Sequence, residues 1–331
     1  VGLDVLTPVE RRRRRRRRYR LRRLAPLGLV LVLAAGLGAW VGRPTTAAAV
    51  HTPRDARTHG PRHPAPASQI ARPTHPLRLL HGPPLLAGRL HTRLESPEAI
   101  LVDARTGRVL WAKRAHQRRA VASLTKIMTA VLALREVPWH RVVTVSRHAT
   151  RVPLVREGLH TGELVPAWKL FYSLLLYSGN DDAAQLAISA AGSQQAFLRQ
   201  MNGEAARLGL RDSHFTSPSG VVDKGNYSTA WDIAALTRYA LRSSRFRHLV
   251  RTKRIEVSWA PPTNSKIYIN NNWLLREYTG ADGVKTGYTH ASGWCLAASA
   301  TRHGRTLIAV VLDSGNIYAD AKTLLNLGFR S

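Results

Sequence analysis

The chain has 331 residues, enough for one large or two modest domains, and its 44% apolar content is that of a protein with a real core. A single cysteine, Cys295, excludes an intrachain disulfide framework. The formal charge of +30 is carried throughout: residues 1–85 hold 17 basic and 3 acidic side chains, the remainder 33 and 17. Both parts therefore suit anionic surroundings.

Residues 1–23 are basic, with an unbroken arginine run from Arg11 to Arg18 extended by Arg20, Arg22 and Arg23. A nucleic-acid-binding arm has this composition, but the next segment argues against a nucleic-acid partner. Residues 24–42 carry no charge. As a helix they span about 28 Å, close to the hydrocarbon thickness of a bilayer. A basic flank keeps the N-terminus cytoplasmic and sends the downstream chain outside. The expected element is a transmembrane signal anchor; a signal peptide cleaved after Ala47-Ala48-Ala49 is the alternative. Residues 43–85 hold nine of the eighteen prolines without apolar periodicity, which reads as a disordered linker. Its histidines lack metal-ligand spacing, and neither a metal nor another cofactor is expected.

The folded domain is expected over residues 86–331. Residues 99–103 and 108–112 flank Ala104-Arg105-Thr106-Gly107 and read as a β-hairpin. A helix opening at Ser123 carries Ile127, Met128, Ala130, Val131 and Leu134 at helical spacing. Further helices are expected over 165–176, 181–191, 194–208 and 229–241. Strands come next, from 282 through Lys285-Thr286-Gly287, then over 293–300 and 305–312, and a last helix over 319–327. This order implies an α+β fold, an antiparallel sheet built from both chain ends, flanked by helices, with a helical subdomain inserted. Cys295 falls in an apolar strand and reads as a small core residue.

Three short motifs lie along this frame: Ser123-Leu124-Thr125-Lys126, Ser178-Gly179-Asn180 and Lys285-Thr286-Gly287. Each alone is weak, but the order S-x-x-K, S-x-N, K-T-G is specific to serine acyl-transfer chemistry on penicillin-like substrates. A serine hydroxyl attacks only when a base takes its proton. At i and i+3 of a helix, Ser123 and Lys126 share a face. Lys126 is a base only when neutral, which burial and a second cation, Lys285, both favour. The N–H of Ser123 at a helix N-terminus and that of Tyr288 would receive an oxyanion. Gly287 lets a peptide lie against the strand as an added edge. Ser178 would relay a proton to the leaving amine, and Asn180 would hold the substrate amide. Read blandly, the same turn is a connection capped by Asp181 or Asp182. A second S-x-N, Ser314-Gly315-Asn316, comes after the K-T-G, out of order, and reads as a turn after a strand.

From about Glu98 to Phe329 the chain resembles the serine-type D-alanyl-D-alanine carboxypeptidases, the low-molecular-mass penicillin-binding proteins. The likeness extends to Leu101-Val102-Asp103-Ala104-Arg105-Thr106-Gly107, Leu174 to Asp181, and Asp282-Gly283-Val284 leading into Lys285-Thr286-Gly287-Tyr288-Thr289. It implies the β-lactamase/penicillin-binding-protein-like transpeptidase fold. It also implies a nucleophile at Ser123, a proton acceptor at Lys126, a third catalytic residue at Ser178, and substrate contacts at Lys285, Thr286 and Thr289. The implied partners are peptidoglycan stem peptides, with β-lactam antibiotics as covalent inhibitors. An arginine that many members carry after the last strand has no counterpart in Asn316-Ile317-Tyr318. A D,D-endopeptidase or transpeptidase shares this chemistry. A class A β-lactamase would need a glutamate in an E-x-x-L-N-like loop, and none occurs between Asn180 and Lys285; Glu204 reads as a solvated helical residue. A non-catalytic wall-binding module is the alternative from another class.

Overall fold

A computed structural model describes residues 79–331 apart from 87, 89, 91–92, 222–223 and 261–263. The expectations for residues 1–78 lie outside the described residues. Among the described residues no helix is long and apolar enough to cross a membrane.

The described chain opens with strands β1 (Glu98–Asp103) and β2 (Val109–Lys113), then a tight turn (Ala122–Thr125) and helix α1 (Lys126–Glu136). The inserted part holds β3 (Val142–Thr144), β4 (Leu164–Pro166), α2 (Ala167–Tyr172), α3 (Asn180–Ala191), α4 (Gln194–Leu208), α5 (Ala230–Ala240) and α6 (Ser244–Arg251). The ribbon β5 (Arg254–Ser258) and β6 (Ser265–Ile269) comes after it, with α7 (Leu274–Glu277). The chain closes with β7 (Ala281–Thr289), β8 (Gly293–Arg302), β9 (Arg305–Ser314) and α8 (Ile317–Phe329).

The main sheet has the order β2-β1-β9-β8-β7, all antiparallel. Both chain ends build it, because β1 pairs with β9 from Glu98↔Leu312 to Asp103↔Leu307. Two turns fix the register. Asp103 Oδ1 accepts from Thr106 N–H at 2.9 Å and its hydroxyl at 3.0 Å, closing the first hairpin. His303 (φ 48°) and Gly304 (φ 74°) form the second, a two-residue turn with both central residues at positive φ.

Side chains alternate across the sheet. Leu101, Leu296, Leu307 and Val311 face α8 and its Leu324 and Leu325. Ile100, Cys295, Ile308 and Val310 face the helical part, where α1 is buried from Lys126 to Leu134. A helix apolar on every side is a core helix, and its burial takes Lys126 inside. Cys295 is a core residue, as expected, and burial pushes its thiol up to about 11.

Three local expectations are corrected. Leu79, placed in the linker, is 1% exposed in the core, and Leu80 N–H donates to Gly107 O at 2.9 Å, so the packed body takes in Leu79. The helix expected over 165–176 begins only at Ala167, because residues 164–166 pair with β3. It ends in a widened turn, Ser173–Tyr177, where Ser178 N–H reaches Ser173 O at 2.8 Å.

Candidate active site

Ser123 sits in the turn that leads into α1. The residue before it, Ala122, has φ 48°, a costly conformation for an L-residue. Neighbours hold it there. Thr129 Oγ1 donates to Pro218 O at 2.6 Å, and Asn226 Nδ2 donates to Thr125 Oγ1 at 3.0 Å. Gly220 is pressed against the same turn: a Cβ there would lie 2.1 Å from Ala122 O.

Lys126 is fully buried, and its Nζ has three neighbours. They are Ser123 Oγ at 2.9 Å, Asn180 Oδ1 at 2.7 Å and Ser219 O at 3.2 Å. Two of the three are acceptors only, whereas a hydroxyl can donate. A neutral amine satisfies all three, giving its two hydrogens to Asn180 and Ser219 and its lone pair to the serine O–H. Burial, then the nearby Lys285 charge, hold the Lys126 ammonium well below the ordinary lysine range, against the opposing pull of Asp181 and of whatever charge Asp182 carries. Lys285 is itself 1% exposed, and burial brings it down to about 7. Its Nζ donates to Thr286 O at 2.9 Å.

The K-T-G motif runs along β7, the sheet's edge strand, against the nucleophile turn. A Cβ on Gly287 would lie 2.9 Å from Ser123 N, 3.1 Å from Ala122 Cβ and 3.2 Å from Val121 O. Only a glycine lets the two backbones approach this closely. The S-x-N motif faces it from the helical part. Ser178 adopts the left-handed region (φ 79°, ψ 32°), and Gly179 N-caps α3.

A cleft of about 590 Å³ joins these pieces. Ser123, Ser178, Thr286, Gly287 and Tyr288 line it, as the motifs lead one to expect. Besides the buried Lys126, three candidates lie elsewhere. Asn180 is 2% exposed beneath the cleft, its Oδ1 accepting from Lys126 and its Nδ2 donating to Pro153 O at 3.1 Å. Lys285 is likewise below the surface. Thr289 Oγ1 donates to Ser292 Oγ at 2.9 Å in the β7–β8 turn, away from the lining.

Other lining residues escaped the sequence reading. Gly315 and Asn316 of the second S-x-N form part of the wall; Asn316 Oδ1 caps α8 by accepting from Ala319 N–H at 3.1 Å. Asn271, Trp273 and Trp294 also line it, and both tryptophans are about half exposed. Aromatic residues flanked by turn signals gave only a weak hint of this. Among the described residues, no carboxylate is part of the lining. Glu204, expected in solvent, is 6% exposed and ion-paired with Arg135 and Arg207.

Comparison with known proteins agrees with this geometry. The profile of the D-alanyl-D-alanine carboxypeptidase family matches residues 87–316. D-alanyl-D-alanine carboxypeptidase DacF of Bacillus subtilis is 34% identical over 226 residues, 66% of this chain and 58% of that protein. The D-alanyl-D-alanine carboxypeptidase of Streptomyces sp. strain K15 is 37% identical over 243 residues, 68% of this chain and 84% of that protein. The crystal structure of the Streptomyces K15 DD-transpeptidase superposes with a TM-score of 0.68 at 32% identity, covering 72% of this chain and 99% of that one.

Proposed function

The chain belongs to the D-alanyl-D-alanine carboxypeptidase family, and from that premise we propose that it is a serine D,D-carboxypeptidase removing the terminal D-alanine of peptidoglycan stem peptides. The observation that carries the reading is the buried Lys126 amine, 2.9 Å from Ser123 Oγ, whose other two partners only accept hydrogen bonds.

In this mechanism Lys126 takes the Ser123 proton while Oγ adds to the carbonyl carbon of the D-Ala-D-Ala bond. The N–H groups of Ser123 and Tyr288 receive the oxyanion. The proton passes through Ser178 to the leaving amine, the C–N bond breaks, and D-alanine departs from an ester on Ser123. Water then adds to the ester as Lys126 accepts its proton; the bond to Ser123 Oγ breaks, Lys126 returns the proton to Oγ, and the shortened peptide leaves. Thr286 and the Lys285 charge beneath it serve the terminal carboxylate. Thr289, bonded to Ser292, contributes by holding the β7–β8 turn. Penicillin acylates the same serine. A penicilloyl ester keeps its bulky ring, which cannot leave as D-alanine does and blocks the approach of water, so this ester is long-lived, unlike that of a β-lactamase.

A transpeptidase reading, in which an amine replaces the water, shares every step up to the ester. The match along 99% of the Streptomyces K15 DD-transpeptidase favours keeping it as the second reading. We further propose that residues 24–42 anchor the chain in the membrane and that the catalytic domain acts outside the cytoplasm, tethered by residues 43–78.

Incubation with a pentapeptide ending in D-Ala-D-Ala should release free D-alanine, and an added amine acceptor partitions hydrolysis from transfer. Mass spectrometry after penicillin should show one adduct on Ser123, absent in Ser123→Ala. A wall-binding module would give neither D-alanine nor adduct. Protease added to intact cells should reach the catalytic domain; a shielded domain would reverse the topology, and a mature N-terminus near Val50 would replace the anchor by a cleaved signal.

A further inference from the structure

Three buried carboxyl groups meet under the S-x-N turn, and their hydrogen-bond donors are unequally shared. Asp181 is 1% exposed and receives four backbone N–H groups: Glu157 at 2.8 Å, Gly158 at 2.9 Å, Leu159 at 3.1 Å and Asp182 at 3.2 Å. Glu157, its side chain 1% exposed, receives the Lys266 ammonium at 2.6 Å and the Tyr268 hydroxyl at 2.9 Å, both on Oε1, and its Oε2 has no partner among the described residues. Asp182 is fully buried and has only the Ser173 hydroxyl, at 2.5 Å on Oδ2; its Oδ1 has no partner among the described residues.

A buried carboxylate persists when donors or a cation compensate for lost solvation. Asp181 and Glu157 meet that condition. Asp182 does not, and it lies in the field of the other two. We propose that Asp182 is held as the neutral carboxylic acid and, in that form, is a positioning residue for the active site, a deepening of the function proposed above. Burial first, then the charges of Glu157 and Asp181, push its carboxyl well above the usual carboxylate range.

The position gives the proton a consequence. The Asp182 carboxyl lies directly under Gly179, where a Cβ would sit 1.9 Å from Oδ2. It therefore props the turn that carries Ser178 and Asn180. The charged and titratable groups facing it are Asp181 on its own helix, Glu157 in the preceding loop, Lys266 and Tyr268 on β6, and Lys126 on α1. An ionised Asp182 would stabilise the Lys126 ammonium and remove the base. The neutral acid holds the turn and leaves Asp181 as the one carboxylate opposing Lys126 neutrality.

The rate of Ser123 acylation by fluorescent penicillin, measured against pH, tests this. Acylation needs neutral Lys126, so the rate rises with pH through the lysine's titration. Asp182→Asn should leave that midpoint within about 0.3 pH unit of the wild type. If Asp182 were ionised, removing its charge would lower the midpoint by about a pH unit or more, which would overturn the proposal. Infrared spectroscopy gives a readout independent of acylation. A protonated-carboxyl stretch should be present in the wild type at neutral pH, lost in Asp182→Asn and retained in Glu157→Gln. Its absence from the wild type, or its loss in Glu157→Gln, also overturns the assignment. Should Asp182→Asn fail to fold, the other two spectra decide. Failure of penicillin to acylate the wild type would count against the proposed function, and the infrared result would still settle Asp182.

Discussion

The two walls of the cleft are held by different forces. The wall formed by β7 is fixed by sheet hydrogen bonds and by the close approach of Gly287 to the nucleophile turn, and its Lys285 is buried. The opposite wall, Ser178 to Asp182, stands on buried charges: Asp181 gripping the loop at 157–159, and Glu157 bound to Lys266. Backbone packing specifies a position through sterics, which no solution condition alters. Buried carboxyls specify one through hydrogen bonds whose strength depends on where the protons are. The first wall sets where a peptide can lie, and the second sets the proton inventory around Lys126.

The largest expected effect lies where the walls meet. Lys126→Met keeps the side chain's bulk and removes the amine, and should slow acylation of Ser123 by about 10³-fold, within the range of a lost general base. Acylation at more than about a tenth of the wild-type rate would show that another group takes the serine proton. Next is the sheet wall. Gly287→Ala puts a methyl 2.9 Å from Ser123 N, against backbone that cannot move without displacing the nucleophile. We expect kcat to fall about 10²-fold, as an ångström-scale misplacement does, together with a lower melting temperature, because the clash is with backbone.

Gly179→Ala is the matching change in the other wall, and it should behave differently. Its methyl meets a side chain, the Asp182 carboxyl at 1.9 Å, and not main chain. It should cost about 1–3 kcal/mol of stability, the usual range for overpacking. Asp182→Ala makes room for that methyl, so the double variant should be less destabilised than the sum of the two single changes. Additive losses in thermal melts would show that the carboxyl is not what the methyl strikes.

The sheet wall was legible in the sequence because its determinants are local. Ser123 and Lys126 are three residues apart, and K-T-G sits between short apolar runs that read as strand. The helix over 194–208 was readable for the same reason, with Ser193 capping it through Ala196 N–H at 3.1 Å. The helical wall was legible only at Ser178. Glu157, Lys266 and Tyr268 come from segments about 110 residues apart, and nothing local marks a glutamate that will meet a lysine in the interior. The bland reading of Asp181 as a helix cap misses that its carboxylate reaches back to a loop some 24 residues earlier. Asn180 reads as a substrate contact because the pattern shows which residues gather, but not that Lys126 claims its oxygen. Ser314-Gly315-Asn316 is out of motif order, and order does not say that the turn after β9 closes the cleft.

The smallest expected effect concerns Lys285, the buried lysine of the sheet wall. Its partner is Thr286 O on its own strand, and burial alone brings it to about 7 from an ordinary 10.5. Between those values the unfolded chain binds the proton and the folded chain does not, so stability rises with pH across that window, and below about 7 the fold must carry a buried cation. The same titration reaches the substrate. Below about 7 Lys285 offers a charge to a terminal carboxylate, and above it the charge is gone. KM for a peptide ending in free D-alanine should therefore rise a few-fold, about 0.5–1 kcal/mol of lost surface-type attraction, as pH passes through 7, whereas an amide-capped peptide should show no such inflection. Lys285→Met should abolish the difference between the two peptides and flatten the pH dependence of the melting temperature above neutrality. Parallel KM profiles for the free and capped peptides in the wild type would show that Lys285 does not serve the carboxylate. The sheet wall would then act through backbone alone, and the contrast between the two walls would be complete.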